Sequence, residues 1–224
     1  MTARPARLVA VLGTGTEVGK TWVAAAALDA ARGAGLTVAA RKPAQSAEVD
    51  DPAPTDADVL AGATGEDPLA VCPAHRRYEV AMAPPMAAEV LGRPPFTVAD
   101  LAAEVAWPDG LDVGVVETAG GVLSPAALDG TSLDLAAAVA PDEVVLVADA
   151  GLGTINGVRL SLAAVAAHPD LAATPIDVVL NRYDDGDRLH RANRAVLEAD
   201  AARTRLGLDV VVDAGALADR WRHR

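Results

Sequence analysis

The glycine-rich segment Gly13–Thr21 constrains the fold more than any other part of this sequence. It follows the apolar run Leu8–Leu12, which is typical of a buried strand, and it opens the Ala-rich helical stretch Gly19–Arg32. Glycines let backbone N–H groups turn toward phosphate oxygens, and the start of the following helix adds partial positive charge. The order of strand, glycine-rich loop and helix predicts a phosphate-binding loop, or P-loop.

Two side chains at the end of this loop predict how a nucleotide would be bound. Lys20 would place a full charge near the β- and γ-phosphates, and the Thr21 hydroxyl is suited to bind Mg²⁺. Five residues separate Gly13 from Gly19, one more than in the usual pattern, so the prediction depends on Gly19-Lys20-Thr21 and on the strand–loop–helix context. The alternative is a glycine-rich turn with an exposed lysine.

Short apolar runs alternate with helical patterns along the rest of the chain. Strands are predicted at residues 36–41, 112–116, 144–147, 176–180 and 208–212, and helices at 55–62, 85–91, 97–106, 133–139, from 154 onward and at 188–204. Residues 43–54 are polar and predict a loop. The alternation predicts an α/β fold of the P-loop NTPase type, with a mostly parallel sheet, helices on both faces and a single domain over residues 1–224.

Several polar residues follow predicted strands, where parallel sheets bind ligands. Lys42 follows the second strand and would balance charge during phosphoryl transfer, unless it is a surface lysine. Glu117 and Asp149 each end a strand and are candidates for binding Mg²⁺, as are Asp56 and Asp58. Capping of a helix is the alternative for Asp149 and Asp56, and a solvated position on a helix is the alternative for Asp58.

Asn181 ends the strand 176–180, and its carboxamide suits the edge of an adenine, although turn formation is an alternative. The guanine-specific pattern Asn-Lys-x-Asp does not follow it, but the residues leave CTP and GTP open. The four histidines show no metal-ligand spacing. With Cys72 as the single cysteine, a disulfide framework or a cysteine zinc site within one chain is excluded.

The charge balance excludes further classes of function. The formal net charge is −12 and no run of Lys or Arg exists, which argues against binding to nucleic acid or to an anionic membrane. An apolar run long enough for a transmembrane helix is lacking, and the N-terminus does not match a signal peptide. We therefore expect a cytoplasmic protein.

Five segments together resemble the dethiobiotin synthetase family. They are Gly13–Thr21, with its longer spacing and internal Glu17, Lys42–Ser46, Thr55–Ala57, Val116–Gly121 and Gly151–Asn156. The resemblance implies that 7,8-diaminopelargonate, CO₂ and ATP with Mg²⁺ give dethiobiotin, ADP and phosphate. The route implied is a carbamate, then a carbamic–phosphoric anhydride, then ring closure by the second amine.

The resemblance also implies residue roles. Lys20, Lys42 and Ser46 would be catalytic, and Thr21, Asp56 and Glu117 would bind Mg²⁺. The nucleotide would be bound by Gly15, Thr16, Glu17, Val18, Gly19, Lys20, Thr21, Glu117, Ala119, Gly120 and Asn181. The substrate would be bound by Ser46, Gly153, Thr154 and Asn156. Members of the family are homodimers, in which the 151–156 segment binds the substrate carboxylate across the interface.

Two positions depart from the family pattern. Thr118 replaces the first glycine after the acidic residue, and Ala47 stands where glycine usually follows the Ser or Thr of the lysine motif. A Cβ atom at either position would narrow the approach of phosphate or diamine.

Two other functions are alternatives. An amidoligase-type enzyme would normally carry a glutamine-hydrolysing domain, for which 224 residues leave no room. A partitioning-type ATPase switch would usually carry a second lysine within the P-loop, and no such lysine is present.

Overall fold

The computed structural model describes residues 4–48, 50, 52–203, 208–211 and 213–223. Within these residues lie ten strands: β1 (Arg7–Gly13), β2 (Val38–Arg41), β3 (Gln45–Ser46), β4 (Arg77–Tyr78), β5 (Val113–Glu117), β6 (Pro125–Ala127), β7 (Gly130–Thr131), β8 (Glu143–Asp149), β9 (Ile176–Asn181) and β10 (Leu208–Val211). Six of them form one sheet in the order β2-β5-β1-β8-β9-β10, and all neighbours are parallel. Their carboxyl ends therefore lie along one edge, with β1 near the centre.

The helices of the described residues connect these strands. They are α1 (Lys20–Gly33), α2 (Asp56–Thr64), α3 (Pro68–Val71), α4 (Pro84–Val90), α5 (Val98–Glu104), α6 (Ser132–Ala138), α7 (Thr154–Ala167), α8 (Arg188–Arg203) and α9 (Ala214–His223), with a short 3₁₀ turn at Ala74–Arg76. Among the described residues, the helices lack the combination of length and apolar character that a membrane crossing requires.

The sheet separates two hydrophobic cores, because successive strand residues point to opposite faces. Val9 and Val11 of β1 pack in one core with α1, α2 and α9, whereas Ala10 and Leu12 pack in the other with α6, α7 and α8. Helix α1 contributes mainly small side chains to the core that contains Val9 and Val11, including Ala24 and Ala27. A sheet buried on both faces holds β1 rigidly, and the P-loop begins where β1 ends.

A third, smaller core lies beside the carboxyl edge of the sheet. It contains Tyr78, Phe96 and Leu101, and the rings of Tyr78 and Phe96 stack with centroids 6.1 Å apart. Strand β3 pairs in parallel with β4, so that Ser46 lies opposite Tyr78. This core therefore supports the segment that carries Lys42 and Ser46.

The predicted α/β fold with a parallel sheet and helices on both faces is confirmed. The predicted loop at residues 43–54 contains β3, and α2 continues past Gly62 to Thr64 before Gly65 ends it with φ 80°. Strands β4, β6 and β7 and helices α3 and α9 have no counterpart among the predicted elements, although α9 has a helical spacing of buried apolar residues at Ala214, Leu217, Ala218 and Trp221. The predicted ends at Thr204 and Val212 lie outside the described residues.

We expect Leu217→Ala to lower the free energy of unfolding by about 2–5 kcal/mol, because it opens a cavity where α9 packs on α1. Leu217 is only 1% exposed. Chemical denaturation would measure the loss. The matched control is Leu69→Ala, which makes the same change at a side chain 54% exposed and should shift stability by about 0.5 kcal/mol or less. Equal effects of the two substitutions would contradict the packing of α9.

Candidate active site

The P-loop turns sharply between β1 and α1. Gly19 has φ 90°, and Glu17 has φ 60°, a left-handed conformation that is uncommon outside glycine. Lys20 folds back into the loop, where its Nζ donates to the carbonyl oxygens of Gly15 (2.9 Å) and Gly120 (2.8 Å). Burial, together with the charge of Lys42, lowers the pKa of Lys20 to about 8, so the ammonium is charged at pH 7. The alternative of an exposed lysine in an ordinary turn is therefore wrong.

Lys42 is buried and lies between two carboxylates, the buried Glu117 and the partly exposed Asp56. Its side chain is 3% exposed, and Nζ lies 2.5 Å from Glu117 Oε1 and 2.7 Å from Asp56 Oδ2. Burial alone would lower the pKa of Lys42, but the charges of Glu117 and Asp56 raise it above its ordinary value. Burial likewise opposes ionisation of Asp56, yet Lys42 and the Thr21 hydroxyl keep its pKa below the usual range. Lys42 is therefore not a surface lysine.

The Thr21 hydroxyl lies between the same two carboxylates. Its oxygen is 2.8 Å from Asp56 Oδ1 and 2.8 Å from Glu117 Oε1. Glu117 is fully buried, and its Oε2 has no hydrogen-bond partner among the described residues. One hydroxyl and two carboxylates offer oxygen ligands only, and this set suits Mg²⁺ completed by water and phosphate oxygens. No group of three or more His, Cys, Asp or Glu that could hold a metal occurs among the described residues, so a metal cage made wholly of such side chains is lacking there.

The turn after β5 lies against the P-loop. Gly120 has φ 67°, and a Cβ atom there would lie 2.5 Å from Ser124 Oγ. A Cβ atom on Gly121 would come within 3.4 Å of Gly15 Cα, so the two glycine-rich turns are in close contact. The Ala119 carbonyl accepts a hydrogen bond from Ser132 Oγ at 2.7 Å. These contacts fix the carbonyl of Gly120 that accepts from Lys20.

Asn181 supports the P-loop from the end of β9. Its Nδ2 donates to the Val18 carbonyl at 3.0 Å, and its side chain leaves no room for a Cβ atom at Gly19. A turn does begin at Arg182, directly after Asn181, but the Asn181 side chain bonds to the P-loop. Contact with a base is not tested by these distances and stays a prediction.

The remaining predicted substrate residues lie on two other segments, β3 and the start of α7. Ser46 lies on β3, and its hydroxyl donates to the Met82 carbonyl at 2.6 Å. Gly153, Thr154 and Asn156 lie at the first turn of α7, and Gly157 in the same helix approaches Thr14 of the P-loop. The first turn of α7 is thus close to the P-loop, and the role of residues 151–156 in substrate binding stays a prediction.

Helices α1 and α7 start differently from their neighbours. Each begins after a glycine in the left-handed region, Gly19 or Gly153, with no side-chain cap and no acidic residue in the first turn. By contrast, α2, α5 and α6 are each closed by a Thr-x-x-Asp capping box. Free N–H groups and a positive dipole end make the starts of α1 and α7 suited to anions. The Thr154 hydroxyl is also buried without a partner among the described residues.

The alternatives for the other acidic residues are resolved by their contacts. Asp149 accepts hydrogen bonds from Gly151 N (2.8 Å) and Arg182 (2.9 Å), and it does not cap α7, whose N-cap is Gly153. Asp58 forms the capping box with Thr55, so Thr55 is the cap of α2 and Asp56 is free to face Thr21.

Sequence reasoning missed three residues that hold the loops of this site. Gln45 Oε1 accepts from the N–H of Ala57 at 3.0 Å and so fixes the start of α2. Asn193 Nδ2 donates to the carbonyls of Ala150 and Gly151, both at 2.9 Å, and Arg182 bridges to Asp149. The sequence signal was weak: Gln45 stands within the lysine motif, and Arg182 directly follows Asn181.

Comparison with solved structures agrees with this arrangement. The partition protein ParA of pNOB8, bound to nonspecific DNA, matches with a TM-score of 0.55 at 12% identity, over 96% of this chain and 91% of its own. The signal recognition particle receptor FtsY from Elizabethkingia anophelis matches with a TM-score of 0.52 at 15% identity, over 98% and 66%. These likenesses concern the fold alone. Fold and site together define a P-loop NTPase.

Sequence relatives are more specific. The AAA domain family matches residues 7–210. The ATP-dependent dethiobiotin synthetase BioD of Caulobacter vibrioides is 40% identical over 76% of this chain and 83% of its own length. Those of Rhodococcus jostii and Anaeromyxobacter dehalogenans are 44% and 42% identical, over 71% and 79% of this chain and 68% and 77% of their own lengths. The chain belongs to the dethiobiotin synthetase family.

We expect Gly19→Ala to weaken nucleotide binding and to destabilise the protein. A Cβ atom there would lie 1.9 Å from Asn181 Nδ2, on a backbone with φ 90° that side chains rarely adopt. Strain of this kind costs about 1–3 kcal/mol. Thermal denaturation and calorimetric titration with ATP would measure both effects.

Gly62→Ala is the matched control. Gly62 lies within α2 and has open space around its Cα, so alanine there should leave ATP binding unchanged and stabilise the helix by about 0.5–1 kcal/mol. Unaltered ATP affinity in Gly19→Ala would contradict the described contact between the P-loop and β9.

Proposed function

We propose that this protein is an ATP-dependent ligase that closes the ureido ring of dethiobiotin from 7,8-diaminopelargonate and CO₂. The observation that carries the proposal is the 40–44% identity to ATP-dependent dethiobiotin synthetases over more than two thirds of each chain. The two buried lysines at one phosphate loop support it, because the reaction needs charge neutralisation around a transferred phosphoryl group.

The reaction uses no side chain as a nucleophile. One amine of the diamine takes up CO₂ and loses a proton to give a carbamate. A carbamate oxygen attacks the γ-phosphorus of ATP, ADP leaves, and a carbamic–phosphoric anhydride results. The second amine then attacks the carbonyl carbon, loses its proton and expels phosphate as the ring closes. The enzyme has to hold the reactants in line and stabilise the charge on the transferred group.

The buried lysines are suited to the charged steps. Lys20 would exchange its two carbonyl partners for β- and γ-phosphate oxygens. Lys42 would move from Asp56 and Glu117 toward the anhydride, because an arriving cation would take over these carboxylates. The start of α1 and the backbone of Gly15–Gly19 would bind the phosphates, Ala119 and Gly120 would line them, and Asn181 would face the base.

Mg²⁺ would be held by the Thr21 hydroxyl and the carboxylates of Asp56 and Glu117, where it would neutralise charge developing on the phosphates. The oxygen-only donors around Thr21 and the unpartnered Oε2 of Glu117 support this assignment.

The uncapped start of α7 is proposed to bind the carboxylate of the diamine through Gly153, Thr154 and Asn156, with Ser46 near the carbamate. Following the family resemblance, this segment would serve the site of a second copy in a cytoplasmic homodimer. Nucleic acid has no part in this proposal, which agrees with the net charge of −12. The dethiobiotin synthetase relatives favour this function over an amidoligase or a partitioning switch.

We expect phosphate release from ATP with Mg²⁺ and bicarbonate to depend on 7,8-diaminopelargonate and to equal the dethiobiotin formed. Mass spectrometry of the product and a phosphate assay would measure both. Lys20→Ala and Lys42→Ala should each lower kcat by about 100-fold or more, since each removes a charge next to the transferred phosphoryl group. Binding of ATP without any effect of the diamine would leave the P-loop assignment standing and refute the substrate.

We expect Asp56→Asn to raise the Mg²⁺ concentration for half-maximal activity by about tenfold or more, because a ligand charge is lost. Asp58→Asn is the matched control two residues away. Asp58 belongs to the capping box of α2, so its loss should cost about 0.5–1 kcal/mol of stability and leave the Mg²⁺ dependence unchanged. If both variants shifted the Mg²⁺ titration equally, Asp56 would not be a ligand.

A further inference from the structure

Arg182 joins two loops at the carboxyl edge of the sheet, the P-loop and the turn after β8. It follows Asn181 at the end of β9, and its guanidinium lies between the P-loop and the turn after β8. Nη2 donates to the Glu17 carbonyl at 3.2 Å, and Nη1 lies 2.9 Å from Asp149 Oδ2. One side chain therefore contacts both the phosphate loop and the loop that leads into α7.

The backbone on both sides of one of these contacts is strained. Glu17 has φ 60° and Arg182 has φ 58°, and they are two of the three non-glycine residues with positive φ among the described residues. Such conformations persist where surrounding contacts hold them, and they concentrate at functional sites. A single hydrogen bond joins the two strained residues directly.

Asn181 and Arg182 act on consecutive carbonyls of the P-loop. Asn181 holds the carbonyl of Val18, and Arg182 holds the carbonyl of Glu17. Carbonyls fixed on the β9 side leave the N–H groups of the loop free to turn toward phosphate. The end of β9 thus determines the shape of the phosphate cradle.

The second contact of Arg182, to Asp149, holds the turn that leads into α7. Asp149 accepts from Gly151 N at 2.8 Å, and this hydrogen bond lowers the pKa of the Asp149 carboxyl, so it is ionised when it meets Arg182. Asn193, which is 5% exposed, holds the carbonyls of Ala150 and Gly151 from α8. The turn before Gly153 is therefore fixed on two sides.

We propose that Arg182 is a positioning residue that fixes the P-loop and the 149–153 turn to a common guanidinium, so that the nucleotide cradle and the start of α7 keep one relative geometry. The role at α7 rests on the proposed function, in which that helix start binds the diamine carboxylate. The role at the P-loop requires only nucleotide binding.

The test uses calorimetric titration with ATP and Mg²⁺, steady-state kinetics with the diamine, and amide hydrogen exchange of peptides covering residues 13–19 and 149–157. Arg182→Ala should raise the Kd for ATP and the KM for the diamine by about threefold to fivefold each, as expected for partly exposed contacts. The kcat at saturating substrates should change less. Exchange should become faster in both peptides together.

Asp149→Asn weakens the contact of Arg182 with Asp149 and leaves its contact with the Glu17 carbonyl in place. It should raise the diamine KM and leave the Kd for ATP within about twofold, since the Glu17 contact remains. Adding Arg182→Ala to Asp149→Asn should then raise the Kd for ATP without a further rise in the diamine KM. A full additional rise in that KM would overturn the coupling through Asp149.

Two further variants serve as a control and as a replacement for a variant that does not fold. Arg159→Ala removes an Arg–Asp pair between α7 and α8, 2.9 Å from Asp200 and with Arg159 57% exposed, and should change none of these quantities. If Arg182→Ala fails to fold, Arg182→Gly relieves the positive φ and should still show the ATP effect and the faster exchange. If Arg182→Gly left the Kd for ATP and the hydrogen exchange unchanged, as is expected for Arg159→Ala, the proposal would be refuted.

Failure of the proposed function can be distinguished from failure of the proposal for Arg182. If the wild-type protein formed no dethiobiotin, the ATP titration and the exchange of both peptides would still decide whether Arg182 positions the two loops.

Discussion

The buried ammonium of Lys42 is the interaction on which the geometry of the site depends. It lies between Asp56 at the start of α2 and Glu117 at the end of β5, and both carboxylates also lie 2.8 Å from the Thr21 hydroxyl at the start of α1. Three segments that are distant in sequence are thereby fixed to the end of β2. Lys42 and Glu117 form a buried pair, and removing one of these two partners would leave an uncompensated charge, at a cost of about 3–5 kcal/mol.

This arrangement also balances the charges of the site within the protein. Carboxylates gathered to bind a metal would repel each other when the metal is absent. Here Lys42 supplies the compensating charge, and carbonyl oxygens satisfy Lys20. Under the proposed function, nucleotide binding would be an exchange of partners in which both lysines turn to phosphate, so that little new order would have to be created.

The helices differ in how their starts are capped, and α1, α4 and α7 have no side-chain cap. The Thr-x-x-Asp boxes at Thr55, Thr97 and Thr131 close the starts of α2, α5 and α6. Gly19 and Gly153 leave the starts of α1 and α7 open. A cap stabilises a helix by about 1 kcal/mol, so its omission at these two helices is a local cost that keeps N–H groups available for anions.

The sequence predicted the parts of this site that local patterns encode. Lys20, Thr21, Lys42 and Glu117 stand at strand ends or helix starts, where a glycine or an apolar run identifies them. Contacts between distant segments could not be predicted: Lys20 donates to Gly120 across 100 positions, and β3 and β4 are two-residue strands that exist only by pairing with each other. Arg182 was missed because its role comes from a backbone carbonyl and a turn that only the folded sheet brings together.

Thr118 and Ala47 stand where the family pattern has glycine. Their effect depends on contacts in the folded protein that a motif does not show. Both residues lie outside the left-handed region, so neither backbone position requires glycine. Thr118 is 1% exposed, and both its N–H and its hydroxyl point to the Val11 carbonyl. The N–H of Ala47 extends the pairing of β3 and β4 by donating to Tyr78. In the turn that follows, Gly120 has a positive φ and no room for a Cβ atom beside Ser124, and Gly121 lies closest to Gly15 of the P-loop. Both glycines are present, so the turn that contacts the P-loop keeps them although Thr118 replaces a glycine before it.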